Sequence, residues 1–369
     1  MVPAALRALV RNVPTVAPVP RRSVLSVTGS QATEFLNGIL SSTVPQHSKL
    51  PFFSSFLHAQ GRVMYDVFVY SHTDPVKGDK GYLIEYDSQP SEATPLIPLI
   101  KRYILRSKVK VRDVTEEYDI WSAWGSEKER SWETERNWSW ARSGAVEPVW
   151  DPEGEWPWGT EDDVIRDRRA VGMGKRMVVR KGDRPQEASG YDVASSDAYL
   201  LHRILHGVPE GATDVVPMQA FPMDSNLDVM GGLDFRKGCY VGQELTVRTY
   251  HTGVIRKRIL PIVIHSPEEN PLESDTLPQN IPSFKSDVDI RASIIRAPED
   301  DRPTPRPRGT GKLLSSTQGV GLALLRLEHV EGAKSGDLRL EFEAGEEKKK
   351  WAVSPWWPDW WPRQPEEQI

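Results

Sequence analysis

The stretch Lys237-Gly238-Cys239-Tyr240-Val241-Gly242-Gln243-Glu244, followed by Arg248, contains the single cysteine of this 369-residue chain. Glycines at 238 and 242 permit tight backbone turns and a close approach to neighbouring groups. The nearby cations Arg236, Lys237 and Arg248 favour the thiolate, which is both the nucleophile and the metal ligand. The stretch therefore predicts a reactive or metal-ligating thiol. The alternative is a small, partly buried and inert side chain, because free cysteines are often buried.

A single cysteine also limits the chemistry of the chain. No disulfide can form within it, so nothing points to an oxidising compartment. Iron–sulfur clusters usually take four protein ligands, most of them thiolates. If Cys239 binds a cluster, the other ligands must come from a partner chain or a small thiol.

The cysteine stretch resembles the signature of the YgfZ-type proteins, and the similarity covers most of residues 23–125 and 165–262. These proteins are relatives of the glycine-cleavage T-protein, a folate-dependent aminomethyltransferase, and they act in iron–sulfur cluster assembly. Five further segments resemble the family: Phe35-Leu36-Asn37-Gly38, Gly61 to Asp66, Gly207 to Gly211, Phe221 to Asp228 and Gly253 to Arg258.

The resemblance implies an α+β protein with a T-protein-like ring of three subdomains, two α+β units and a C-terminal antiparallel β-barrel. It implies that Cys239 is a metal ligand in a [2Fe–2S] cluster shared with an A-type (Isa-type) scaffold protein. Mitochondrial members act when [2Fe–2S] units are joined, so the expected role is maturation of mitochondrial [4Fe–4S] proteins. The signature residues at this site are Lys237, Gly238, Cys239, Tyr240, Gly242, Gln243, Glu244 and Arg248.

A tetrahydrofolate-dependent one-carbon transferase is the main alternative, and the resemblance makes tetrahydrofolate a candidate cofactor in either case. Transfer needs a carboxylate near the folate amine to orient and activate the acceptor nitrogen. T-proteins follow the corresponding strand with an Asn-Ala pair and an essential Asp. Here the strand Tyr82–Tyr86 is followed by Asp87-Ser88-Gln89-Pro90. This departure argues against transfer, but not against folate binding. A redox-sensing thiol is a third class.

The N-terminal residues have the composition of a targeting sequence. From Met1 to Thr33 there are four arginines and no acidic residue, and apolar residues recur at helical spacing near the start. This pattern predicts a mitochondrial transit peptide over residues 1–22, hence a location in the mitochondrial matrix. The alternative is an ordinary disordered N-terminus. The folded region is expected to begin near Ser23.

Composition argues against two broad classes of protein. Apolar residues make up 38% and charged residues 27% of the chain, as in globular proteins. The chain has no apolar run near the ~18 residues that a membrane-spanning helix needs. The net charge of −5 argues against general nucleic-acid binding.

Periodicity predicts two folded regions of different character. Over residues 23–255, short strands and helices alternate in an order typical of an α+β fold, and the resemblance implies that they form two interleaved subdomains. Strands near 259–264 and 312–327 predict one C-terminal β-domain over residues 256–369, which the resemblance implies is the β-barrel. His202 and His206, four residues apart on a predicted helix, are interpreted as a structural pair rather than as metal ligands.

Two segments depart from globular patterning in different ways. Residues 126–163 contain six tryptophans among many charges, which predicts an insertion docked on the body by its aromatic rings. Residues 266–310 contain eight prolines and several acids, which predicts a loop that is dispensable for the cysteine site.

Overall fold

The chain divides into two compact units in this computed structural model. One unit comprises Met1–Val10, Leu200–Pro209 and Arg256–Trp361, and the other Arg11–Tyr199, Glu210–Ile255 and Pro362–Ile369. The structure describes residues 3–45, 49–74, 78, 80–132, 136–151, 153–268, 281–295 and 309–363. Within these ranges, no helix combines the length and the hydropathy required to cross a membrane.

Strands outnumber helices among the described residues. The strands are β1 Thr15–Pro18, β2 Arg22–Thr28, β3 Phe52–Leu57, β4 Val63–Thr73, β5 Lys80–Asp87, β6 Lys110–Asp113, β7 Tyr118–Trp124, β8 Asn137–Trp140, β9 Val146–Val149, β10 Val164–Arg166, β11 Lys175–Arg180, β12 Asp192–Val193, β13 Lys257–His265, β14 Val288–Ile294, β15 Gly311–Thr317, β16 Val320–Arg326, β17 Leu338–Ala344 and β18 Lys349–Pro355. The α-helices are α1 Ala32–Ile39, α2 Leu96–Ile104, α3 Glu127–Ser131, α4 Ser196–Leu205, α5 Gly211–Asp214, α6 Gln243–Thr252 and α7 Leu327–Lys334.

The larger unit contains two five-stranded sheets and a hairpin. One sheet is antiparallel throughout, in the order β3-β4-β5-β2-β6. The other has the order β10-β11-β7-β1-β12, in which only β1 and β12 are parallel. Strands β8 and β9 form the hairpin. Mainly antiparallel strands with interspersed helices confirm the predicted α+β class.

A buried network of charges joins the two sheets of this unit. Arg176 on β11 donates to Glu85 on β5 at 2.9 Å and to Glu210 at 2.9 Å. Arg22 donates to Glu85 at 2.6 Å, and Arg169 forms an ion pair with Glu210 at 2.8 Å. The side chains of Arg176, Arg169 and Glu85 are fully buried. Buried charges persist only when they are paired, so these residues depend on one another.

The smaller unit is built on a closed antiparallel barrel with the strand order β13-β16-β15-β14-β17-β18. Closure leaves no sheet edge unpaired. Alternating residues such as Leu260, Ile262 and Ile264 point into a core that also contains Phe342 and Trp351. The predicted C-terminal antiparallel β-barrel is confirmed.

Part of the proline-rich segment is a strand of this barrel, which the sequence analysis did not predict. Val288–Ile294 pairs with β15 on one side and β17 on the other. The loop prediction for residues 266–310 is therefore wrong over β14, because Val288, Ile290, Ala292 and Ile294 alternate with polar residues between proline-rich flanks. Residues 269–280 and 296–308 of this segment lie outside the described residues.

Folded structure also begins earlier in the chain than predicted. A 3₁₀ turn at Ala4–Leu9 places Leu6, which is fully buried, in the barrel unit's core beside Ile204 and Trp356. In the other unit, Thr15–Pro18 forms β1 between β7 and β12. The expected start near Ser23 is therefore corrected, since the short apolar run at 15–19 is a buried strand. The assignment of residues 1–22 as a transit peptide stays a prediction.

The tryptophan-rich segment is docked on the larger unit, as its aromatic content predicted. Trp158 is 3% exposed, and its ring centroid lies 6.2 Å from that of Phe53. The Trp156 indole N–H donates to the Pro51 carbonyl oxygen at 2.6 Å. Large aromatic rings supply enough buried area to hold such a segment in place. Residues 133–135 and 152 are outside the described ranges.

Candidate functional site

Cys239 lies in an exposed loop that leads into α6. Gly238 and Cys239 are both exposed, whereas Tyr240 beside them is buried. Exposure contradicts the alternative of an inert, partly buried cysteine. The thiol is accessible to a reagent, a metal or a partner, and the buried neighbour anchors the loop that carries it.

Lys237 fixes the loop to the C-terminal end of α1. Its ammonium group donates to the carbonyl oxygens of Asn37 and Leu40, each at 2.8 Å, and of Ser42 at 2.9 Å. The last carbonyls of a helix have no partner within the helix, and a cation there is stabilised by the helix dipole. Lys237 is expected from its position in the sequence to favour the thiolate, but in the structure its ammonium group holds the loop.

Burial lowers the pKa of the Lys237 ammonium group to about 8, and the Asp234 carboxylate opposes this shift. The unfolded chain keeps the proton up to the ordinary value of 10.5, so it binds more protons than the folded chain between these values. Stability linked to this group is therefore present at high pH and is lost as the pH falls through about 8.

We expect this linkage to appear when the wild type is compared with Lys237→Met. The free energy of unfolding of the wild type, minus that of the variant, should rise by about 1–3 kcal/mol between pH 7.5 and pH 10. Urea unfolding at the two pH values measures this difference. A difference that stays constant would show that the three carbonyl oxygens keep the ammonium group charged throughout.

Asp234 forms the turn that leads into the signature. Its carboxylate accepts the backbone N–H groups of Arg236 at 2.8 Å and Lys237 at 3.2 Å, and it also accepts the Thr43 hydroxyl group. Its own N–H donates to the Ser41 carbonyl oxygen at 3.0 Å. The sequence analysis missed Asp234, although aspartate two or three residues before such N–H groups is typical of this turn.

The two signature glycines differ in their surroundings. Gly242 has a left-handed backbone with φ of 82°, and a Cβ atom there would lie 2.4 Å from the His58 carbonyl oxygen. Gly61 has φ of 80°, and a Cβ atom there would lie 2.7 Å from Leu245 Cβ. A Cβ atom at Gly238 would meet nothing within 4 Å. The β3–β4 turn therefore packs directly on the start of α6. The predicted close approach to neighbouring groups is confirmed at Gly242 and is wrong at Gly238.

Gly242 and Gly238 form a matched pair for mutation. Gly242→Ala should destabilise the fold by about 1–3 kcal/mol, because a left-handed non-glycine residue is strained and its Cβ atom collides with backbone. Gly238→Ala should change stability by less than about 0.5 kcal/mol. Thermal unfolding of both variants measures the difference. Equal losses would show that the two glycines do not differ as the structure indicates.

The remaining signature residues have distinct environments. The Gln243 side-chain oxygen accepts the Tyr240 backbone N–H at 3.1 Å, which closes the loop before α6. Burial raises the pKa of the Tyr240 hydroxyl group to about 12, and the Lys237 ammonium lies 4.9 Å from its ring centre. Glu244 and Arg248 are exposed on successive turns of α6.

One of the distant segments that resemble the YgfZ-type family, Phe35–Gly38, contacts this loop. The Gly38 carbonyl oxygen accepts the Val241 N–H at 3.3 Å, so the Phe35–Gly38 segment touches the signature directly. The Asn37 side chain accepts the Val44 N–H at 3.0 Å and holds the end of α1 in shape. Segments separated by some 200 residues therefore build one site.

Two carboxylates elsewhere in the larger unit are held by backbone N–H groups. Asp87 accepts from Ala212 at 2.7 Å and from Gln89 at 2.8 Å. Asp66 is 4% exposed and accepts from Gly211 at 3.1 Å. Both therefore cap the first turn of α5 or its flanking loop, which is a structural use of a carboxylate.

The histidine pair lies in the barrel unit. The ring centroids of His202 and His206 are 4.3 Å apart, and His206 Nδ1 lies 2.8 Å from the His202 carbonyl oxygen. The Trp360 indole N–H donates to the His206 carbonyl oxygen at 2.9 Å. These contacts describe a structural role at the end of α4.

The comparisons with known proteins agree with this architecture. The profile of the family described as CAF17, C-terminal beta-barrel domain, matches residues 256–363. Among solved structures, the glycine cleavage system aminomethyltransferase T from Bartonella henselae has a TM-score of 0.59, covering 96% of this chain and 88% of that one. At 13% identity this match shows the fold alone, and it confirms the predicted T-protein-like fold.

Curated relatives resemble the chain over most of its length. An iron–sulfur cluster assembly factor IBA57 homologue, mitochondrial, from Cryptococcus neoformans is 39% identical over 338 residues, covering 88% of this chain and 87% of its own. The protein of the same name from Coccidioides immitis is 35% identical and covers 83% of this chain and 70% of its own. This chain therefore belongs to the family of mitochondrial iron–sulfur cluster assembly factor IBA57 homologues.

Proposed function

We propose that this protein is an iron–sulfur cluster assembly factor that acts with A-type scaffold proteins in the maturation of mitochondrial [4Fe–4S] proteins. In this proposal Cys239 ligates a [2Fe–2S] cluster shared with the scaffold. The observation that carries it is the exposed Cys239 thiol at the tip of a loop fixed on both sides by buried contacts. The names of the curated relatives support the assembly part of this proposal.

The cluster would have to be shared because this chain has fewer cysteine ligands than a cluster needs. A [2Fe–2S] cluster usually takes four protein ligands, whereas this chain has one cysteine. An exposed thiol can be approached by a second protein that brings the remaining thiolates. A cluster held between two proteins is also more easily passed on than one buried in either, which suits an assembly factor.

The alternative, a one-carbon transferase, is less well supported. Asp87 is the last residue of β5, next to the position where T-proteins place residues needed for catalysis, but its carboxylate accepts two backbone N–H groups. A carboxylate used in this way is poorly placed to activate a folate amine. Binding of tetrahydrofolate without turnover is compatible with the proposal, and a location in the mitochondrial matrix is part of it.

Anaerobic reconstitution tests this function. The full chain is mixed with an A-type scaffold protein, iron and sulfide, and the complex is isolated and examined by optical and Mössbauer spectroscopy. We expect a [2Fe–2S] spectrum in a heterocomplex, distinct from that of the scaffold alone. Methylene transfer from tetrahydrofolate at enzymatic rates, retained after Cys239→Ser, would instead support the transferase.

A further inference from the structure

We infer that Glu147, on strand β9 of the tryptophan-rich hairpin, is a positioning residue for the Cys239 loop. The sequence analysis gave this hairpin no role at the cysteine site. The inference rests on the proposed function only where it concerns the cluster, because the effect on the loop itself is measured separately.

Glu147 contacts both ends of the segment that carries the thiol. Its carboxylate accepts the Tyr250 hydroxyl group of α6 at 2.8 Å, and the same oxygen lies 3.7 Å from the Arg236 guanidinium group. The Glu147 side chain is 11% exposed, whereas that of Arg236 is 70% exposed. The hydrogen bond to Tyr250 is therefore the stronger contact, since an exposed ion pair contributes little.

An aromatic stack completes the contact. The rings of Phe235 and Tyr250 lie 4.2 Å apart between centroids with an interplanar angle of 26°. Phe235 precedes Cys239 by four residues and Tyr250 follows it by eleven, so this pair closes the segment into a loop. Glu147 orients the Tyr250 ring, and Phe235 stacks on that ring. Glu147 therefore sets the position of Phe235, where the loop begins.

The β8–β9 hairpin that carries Glu147 is itself hydrogen-bonded to the rest of the larger unit. The Asp228 carboxylate accepts the Val146 N–H at 3.0 Å, immediately before Glu147. The Ser143 carbonyl oxygen at the hairpin turn accepts the Ile255 N–H at 2.8 Å, just after α6. A functional side chain is placed precisely only when the groups around it are fixed, and these two bonds fix Glu147 relative to α6.

Glu147 restricts the motion of the loop that carries the thiol and does not change the chemistry of the thiol itself. Cys239 itself is exposed, so its position is restricted only through the residues on either side of it. Holding a ligand in place before binding reduces the entropy lost when a cluster is shared. Loss of the Glu147 hydrogen bond should therefore leave the fold intact and increase the motion of residues 236–242.

Hydrogen exchange on the full chain tests this inference without a cluster. Glu147→Ala should accelerate exchange of the amides in residues 236–242 about tenfold, while strand β4 keeps the wild-type rate. Glu147→Gln keeps an acceptor for Tyr250 and should restore most of the protection. Glu153→Ala removes an exposed carboxylate from the same insertion and should match the wild type.

The cluster supplies a second readout. In the reconstituted heterocomplex, Glu147→Ala should shorten the lifetime of the cluster spectrum several-fold, with rescue by Glu147→Gln. Unchanged loop exchange in Glu147→Ala, equal acceleration in β4, or failure of glutamine to rescue would overturn the inference. If the wild type forms no cluster complex, the proposed function fails, and the exchange result alone decides the role of Glu147.

Discussion

Replacement of Cys239 by alanine or serine is expected to abolish the cluster spectrum of the reconstituted heterocomplex and to leave the fold unchanged. The thiol is the chain's single cysteine, and in the proposed complex its removal takes away a bond to iron. Cys239 is exposed, so neither variant creates a cavity. Stability should change by less than about 0.5 kcal/mol, as for most surface substitutions.

The measurement is the absorbance and Mössbauer spectrum of the isolated complex, with thermal unfolding of each variant alone. Alanine is included because a serine oxygen is itself able to bind iron. Gly238→Ala is the matched control, since it alters the same exposed loop and keeps the thiol. A cluster spectrum that survives unchanged in Cys239→Ala would contradict the assignment of Cys239 as a ligand.

Local alternation and periodicity indicate several elements of the α+β region from sequence. The apolar run Phe52–Leu57 forms a strand with these same bounds, and α1 buries Phe35, Leu36 and Ile39, which recur at helical spacing. Apolar residues at a regular period are a local signal, so they can be recognised without knowing the fold.

Elements whose stability comes from distant partners could not be predicted in this way. Strand β1 has only four residues, and its place between β7 and β12 depends on chain 100 or more residues away. Strand β14 has a correct alternation, but proline-rich flanks suggested a loop. In both cases tertiary pairing decides the structure where local signals are weak or misleading.

In the candidate site too, local sequence signals identify some residues, whereas others matter only through distant contacts. The sequence pattern identified Cys239, Gly242 and Lys237. In the structure Cys239 is exposed, Gly242 packs against the β3–β4 turn, and Lys237 holds the loop to the end of α1. Asp234 and Glu147 were not identified. Their roles arise from contacts with Thr43 and Tyr250, which lie about 190 and 100 residues away in the chain, and a single sequence carries no record of such contacts.

Replacement of Arg176 by methionine is expected to cause the largest loss of stability in the chain. The guanidinium group donates to Glu85 and Glu210, and also to the Tyr199 hydroxyl group, in a fully buried position. Methionine would fill much of the volume but leave two buried carboxylates short of a cation. Breaking one partner of a buried ion pair typically costs about 3–5 kcal/mol.

Arg180→Met is the matched control on the same strand. Arg180 is 47% exposed and lies 3.7 Å from Glu117, so its removal should cost less than about 1 kcal/mol. Urea unfolding followed by tryptophan fluorescence compares the two variants. Adding Glu85→Gln to Arg176→Met should recover part of the loss, because it removes one of the two negative charges that Arg176 offsets. Similar midpoints for Arg176→Met and Arg180→Met would show that the network between the two sheets contributes little to stability.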